Sequence, residues 1–252
     1  MQLVLLFAAA FVAGAVNAIA GGGTLLSFPT MIWLGRDPIV ANATNSVALW
    51  PGSLAALLGF RRELVQAERA ALWLTAPSLV GGLLGAALLL RTPSRTFGAL
   101  VPYLILFATG LFAAQHPITR ALGPDVRRPS RRYWFAAAAF QLLVATYGGY
   151  FGAGMGIVML ATLALLGLGD IHQANALKNL FAVCINGIAA AWFVIGGAVD
   201  WRDAAVMAAG AIVGGFAGAG LGRKLGRVFV QRAVIAIGLT AAASMLVFVR
   251  HR

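Results

Sequence analysis

The sequence holds little that a soluble enzyme would use. Among 252 residues there are one cysteine, three histidines and seven acidic side chains. Cys184 forms no intrachain disulfide, and no second thiol or histidine pair stands at metal-ligand spacing beside it, so it reads as a packing residue and neither a metal nor a cofactor is expected. The acids Asp37, Glu63, Glu68, Asp125, Asp170, Asp200 and Asp203 all fall at predicted loops or span ends. That placement leaves no buried carboxylate relay for proton coupling. Long polar segments are missing as well. The longest covers about twenty residues, from Ala113 to Arg132, which leaves no room for a separate globular unit. The first twenty residues are apolar and end in small side chains, but they lack the positively charged start of a secretory signal, so cleavage is not expected.

Apolar residues make up 61% of the chain and mean hydropathy is +0.88. The apolar runs are long enough to cross a bilayer at roughly 1.5 Å of rise per helical residue, which predicts an all-α polytopic membrane protein with about eight hydrophobic segments. A net charge of +12 would suggest nucleic acid in a soluble protein. Here the arginines cluster at helix ends, where they orient the chain and meet phospholipid headgroups, so the bilayer and not nucleic acid is the partner expected.

Sliding the chain against itself by 133 residues aligns Gly21 and Gly23 with Gly154 and Gly156. The same shift sets Asp37, Ala41, Asn42 and Ala43 on Asp170, Ala174, Asn175 and Ala176, and Gly81, Gly82 and Gly85 on Gly214, Gly215 and Gly218. Two copies of one unit inside a membrane point to the duplicated bundles of secondary transporters. The first unit runs over about 1–113 and the second over about 133–252, joined by a loop at 114–132. Each reads as an apolar run broken by glycine, at Gly21-Gly22-Gly23 or Gly152-Ala153-Gly154-Met155-Gly156, followed by three spans, near 38–60, 70–90 and 96–113 or near 172–196, 203–222 and 231–249. The piece after each break is only 11 to 12 residues, half a span, and predicts a re-entrant or discontinuous hairpin. Arg120, Arg127, Arg128, Arg131 and Arg132 place the central loop in the cytoplasm, and Asp200, Arg202 and Asp203 then face out. With three net crossings per copy the repeats are inverted.

Of the 26 charged side chains, only Lys178 sits inside an apolar run. It belongs to Asn175-Ala176-Leu177-Lys178-Asn179, which the repeat sets against Asn42-Ala43-Thr44-Asn45-Ser46. Asn42 and Asn45, like Asn175 and Lys178, are three residues apart and share a helix face. Amides, hydroxyls and one ammonium without a neighbouring carboxylate suit a small anion. The amide groups that open each half-length helix, after Gly21, Gly22 and Gly23 with Thr24 adding a hydroxyl, or around Gly154 and Gly156, suit an oxyanion too. The competing structural readings are close packing through the glycines, interhelical hydrogen bonding by the asparagines and snorkelling by Lys178. For Gly81, Gly82, Gly85 and their counterparts, packing is the reading preferred. If no cation is obligatorily coupled, an anion leaving a negative-inside cell is favoured by about 2.3 kcal/mol per charge per 100 mV, so the charges fit export.

The stretches Ala18-Ile19-Ala20-Gly21-Gly22-Gly23-Thr24-Leu25-Leu26-Ser27-Phe28-Pro29 and Ala41-Asn42-Ala43-Thr44-Asn45-Ser46 resemble the first-repeat motif of the TauE/SafE family of sulfite exporters, and the glycine break and Asn175–Asn179 segment of the second copy are similar. The resemblance covers nearly the whole chain. It implies a bacterial inner-membrane, multi-pass permease for sulfite, an organosulfonate or a related sulfur anion. The second copy lacks counterparts of Pro29 and Thr44, which makes the half-sites unequal. A carrier alternating access at the repeat interface and an anion channel both remain open. An intramembrane enzyme is disfavoured, since no span pairs serine with histidine and no acidic pair lies within one. The glycine-rich faces suit a homodimer or the internal repeat contact equally.

Overall fold

The computed structural model describes residues 1–19, 22–66, 69–114, 131–165, 171–225 and 227–250, so Gly21, Asp170 and most of the central loop lie outside it. The described residues are almost entirely helical and include no strand. The first half contains α1 (Gln2–Ile19), α2 (Thr24–Trp33), α3 (Pro38–Gly59), the short α4 (Arg61–Gln66) and α5 (Arg69–Leu72), α6 (Thr75–Arg91) and α7 (Ser94–Ala113). The second contains α8 (Arg131–Tyr150), α9 (Met155–Leu165), α10 (Ile171–Ile195), α11 (Trp201–Leu225) and α12 (Arg227–Arg250). The span expected at 70–90 starts later, at Thr75, because α5 is a separate turn ahead of it.

Local chemistry sets these boundaries. Gly22 has φ +86° and Gly152 and Gly154 have φ +80° and +77°, a left-handed backbone that a right-handed helix cannot continue through. The helices that follow are half-length, 10 residues in α2 and 11 in α9, each about 15 Å long. Asp37 caps α3, its carboxylate accepting from the amides of Ile39 and Val40 at 2.9 and 3.3 Å, with Pro38 in the first helical position. At the end of α2, Gly35 (φ +81°) closes a Schellman turn in which the Arg36 amide donates to the Met31 carbonyl and the Gly35 amide to that of Ile32.

The packing exchanges partners between the two halves of the chain. α1 lies on α11 and α8 on α6; α3 lies on α11 and α10 on α6; α2 touches α12 and α9 touches α7. α3 also meets α10, and α7 meets α12. Glycines make the closest approaches. A β-carbon at Gly81 would meet the Leu142 carbonyl and Ala145 of α8, one at Gly85 the Thr146 carbonyl, and one at Gly214 the Phe11 carbonyl of α1. These positions pack backbone on backbone, the role expected of them from the sequence. The opposite face of α6 exposes Val80, Leu84 and Leu88, each about half accessible and four residues apart. A helix apolar on both its packed and its exposed face is built to meet lipid. α7 and α10 are long and apolar enough to cross a membrane, and shorter apolar helices surround them.

Candidate functional site

The two glycine breaks hold two separate polar clusters. At the first break, the Gly23 amide donates to Asn17 Oδ1 at 2.8 Å, and the amides of Leu25 and Leu26 turn back onto the carbonyls of Gly22 and Gly23. The start of α2 is thereby closed onto its own chain. Gly22 lies against the Phe112 ring, and a β-carbon on Gly23 would strike the Ala13 carbonyl, so α2 folds back along α1. Thr24 is half-buried at the first helical position. One turn on, the buried Ser27 hydroxyl donates to Asn45 Oδ1 at 2.5 Å and lies 3.3 Å from the Gly23 carbonyl.

Asn42 and Asn45 do share a face of α3, and both are about 1% exposed. Asn42 Nδ2 donates at 3.1 Å to the carbonyl of Tyr150, the last residue of α8. The first-copy asparagine therefore reaches the break of the second copy. Its own Oδ1 is buried without a hydrogen-bond partner. Thr44, fully buried between them, accepts the Asp200 amide through Oγ1 at 3.0 Å and so ties α3 to the start of α11.

The second cluster surrounds Lys178. Its ammonium donates to Asn175 Oδ1 at 3.3 Å, as the three-residue spacing requires. Its stem lies on the opening turn of α9: a β-carbon on Gly156 would sit 3.4 Å from Lys178 Cδ. Gly154 packs on the Ala108 carbonyl of α7, and the Tyr147 hydroxyl donates to the Ala153 carbonyl at 2.6 Å, pinning the break. Asn179 is half-buried beside Lys178 on α10. The two copies meet where Trp50 Nε1 donates to the Val183 carbonyl at 3.1 Å, residues that are themselves 133 apart. Asn45 and Lys178 are each five residues from that crossing, about 7.5 Å along their helices.

One pair carries a contact that the sequence does not mark. Asp203 stands at a span end, as the sequence places it, and is fully buried there in the first turn of α11. Arg36, from the turn between α2 and α3, donates to it through Nε at 2.6 Å and Nη2 at 3.2 Å. This fork joins the copies across 167 residues of chain. Donating to Asp203 raises the Arg36 guanidinium further above its ordinary range, with burial acting the other way. The Asp203 amide in turn donates to Asp200 Oδ1 at 3.1 Å, so Asp200 caps α11. An aspartate at position 200, just ahead of the apolar run, is a cap signal that the sequence reading missed, and nothing local marks Arg36 as the partner of Asp203.

An apolar-jacketed helical bundle with two broken hairpins, and polar side chains gathered at the breaks, has the composition of a membrane transporter. The chain belongs to the TauE/SafE family: the family model described as "Sulfite exporter TauE/SafE" matches residues 6–245. Among its relatives, a Haemophilus influenzae protein named "Probable membrane transporter protein" is 31% identical over 245 residues, covering 97% of this chain and 94% of the relative. Escherichia coli YfcA, carrying the same designation, is 30% identical over 98% of this chain and 90% of its own length. A Sinorhizobium relative, ORF9, is 29% identical over 99% and 94%. No solved structure matches the chain.

Proposed function

We propose that the whole chain is one transport domain, a secondary carrier of a small sulfur oxyanion, with sulfite or an organosulfonate as substrate, in a bacterial inner membrane. The observation that carries this reading is Lys178, the one charge set inside an apolar run, lying on the opening turn of α9 with Asn175. The Met155 and Ile157 amides turn back onto the Gly152 and Gly154 carbonyls, so the ammonium supplies the charge for an anion, assisted by the positive end of the half-helix dipole. Asn175, Lys178, Asn179, Gly154 and Gly156 form the charged half-site, and Gly22, Gly23 and Thr24, with the amides of Gly23, Leu25 and Leu26 tied to the chain, form a separate, uncharged and weaker one. Asn42, Thr44 and Asn45 bind mainly to the protein itself and hold α3 against the second break.

The packing supports alternating access. The exchange of partners, with α1 on α11 and α8 on α6, is what a two-fold axis between repeats produces, and it is consistent with inverted units that rock against one another. A carrier made this way saturates and exchanges substrate for substrate. The test is counterflow in proteoliposomes: preloading with unlabelled sulfite accelerates uptake of labelled sulfite, and a short organosulfonate competes. Large unitary currents without counterflow would make the protein a channel. The absence of flux for either anion would remove the substrate assignment.

A further inference from the structure

We infer that Asn42 Oδ1 and the Tyr150 carbonyl form the core of a binding site for a small monovalent cation of sodium's size, at the junction of α3 with the second glycine break. Asn42 is about 1% exposed, and its Nδ2 is fixed toward the Tyr150 carbonyl, since reversing the amide would set two acceptors against each other. The side-chain oxygen is then aimed into the protein with no donor to meet it. A buried acceptor left in that state bears its whole desolvation cost, which a bound ligand removes.

The surroundings are rich in acceptors. Tyr150 ends α8, where the last carbonyls have no intrahelical partner and carry partial negative charge. The following amides do not compensate it, because those of Phe151 and Gly152 both turn back to the Tyr147 carbonyl. One turn along the same face of α3, Asn45 Oδ1 already accepts the Ser27 hydroxyl and belongs to the first cluster. Asn42 Oδ1 and the Tyr150 carbonyl are neutral oxygens at the negative end of a broken helix, suited to a singly charged, hard cation; a divalent ion would call for carboxylates. The cation site stands without the anion reading. Its role in transport rests on that reading: a cation bound with the anion would offset its charge and let a cation gradient drive the flux, which removes the condition under which export was the favoured direction.

The test is the thermal stability of the purified full-length protein as sodium chloride replaces choline chloride at constant ionic strength, with lithium and potassium chlorides in parallel. The melting temperature is expected to rise saturably with sodium, by roughly 5–10 °C at concentrations near a hundred times the dissociation constant, and less with potassium. Asn42→Ala is expected to lose the sodium response, and Lys178→Ala to keep it. A wild type that melts alike in sodium and choline overturns the site and leaves a buried water as the occupant of Asn42. A response surviving in Asn42→Ala places the ion elsewhere and overturns it too. Because the wild-type ion series decides by itself, failure of the variant to fold does not rescue the idea. Sulfite flux indifferent to sodium would count against the coupling while sparing the anion site. A sodium response without sulfite flux would spare the cation site and remove the substrate.

Discussion

The fork from Arg36 to Asp203 should be strongly unequal when its two ends are removed. Asp203 has 1% of its side chain exposed, whereas Arg36 keeps 28%. Truncating the arginine strands an anion that cannot reach water. Breaking a fully buried pair in this way costs about 3–5 kcal/mol, and the exposure of Arg36 lowers that to about 2–3 kcal/mol for Arg36→Ala. Asp203→Asn removes the charge on the buried side, and the arginine left behind can hydrate, so the cost is about 1 kcal/mol. Across a chain of this size these correspond to melting shifts of roughly 5–10 °C and 2–4 °C, compared at one scan rate because membrane proteins seldom refold after melting. The double variant Arg36→Met/Asp203→Leu leaves no charge behind and should melt above Arg36→Met alone. The assay is detergent-phase thermal unfolding of the four proteins beside the wild type. An Asp203→Asn protein that melts as low as Arg36→Ala, or a double variant that melts no higher than Arg36→Met alone, would refute the assignment of the penalty to a stranded buried carboxylate. The raised guanidinium sets the sign of the pH dependence: its contribution is complete below the ordinary arginine range and is lost only as pH climbs through the raised value, so Arg36 itself adds no pH dependence at working pH.

Three further outcomes follow from the packing. Gly214→Ala drives a methyl into the Phe11 carbonyl of α1 and should cost about 1–3 kcal/mol, while Gly110→Ala, with open space around it in α7, should gain up to about 1 kcal/mol; melting temperatures of the pair must move in opposite directions. Asp37→Ala removes both cap bonds of α3 and should lower stability by about 1 kcal/mol, with Asp37→Asn or Asp37→Ser recovering most of it. Ser78→Ala removes the oxygen that the buried Gln141 Nε2 reaches at 2.8 Å between α6 and α8, and should cost about 1–3 kcal/mol; an unchanged melt would mean the amide finds another acceptor.

The parts of the fold written locally were legible. Glycine runs followed by half-length apolar pieces gave the breaks at Gly22 and at Gly152 and Gly154, because positive φ is a property of single residues. Asp37 before Pro38 gave the cap of α3, and the spacing of Gly81 and Gly85 gave the face of closest packing. What escaped depends on contacts between distant segments. Nothing near Asp203 names Arg36, and a carboxylate one turn into a helix looks solvent-facing until a fork from the other copy covers it. Asn42 was legible as a polar residue inside a span, but its partner is a backbone carbonyl that the end of α8 supplies, and a backbone acceptor leaves no mark in the residue pattern. The same holds for the meeting of Lys178 with Gly156, where repeat spacing named both residues but not the van der Waals contact of one on the other.

The anion site turns on Lys178, and the most direct test is saturable uptake of labelled sulfite into proteoliposomes containing wild-type, Lys178→Ala or Lys178→Arg protein at matched reconstitution. Flux is expected to be lost in the alanine variant, retained in part in the arginine variant, and responsive in the wild type to an imposed membrane potential. Wild-type flux in Lys178→Ala would contradict this expectation and return Lys178 to a structural role.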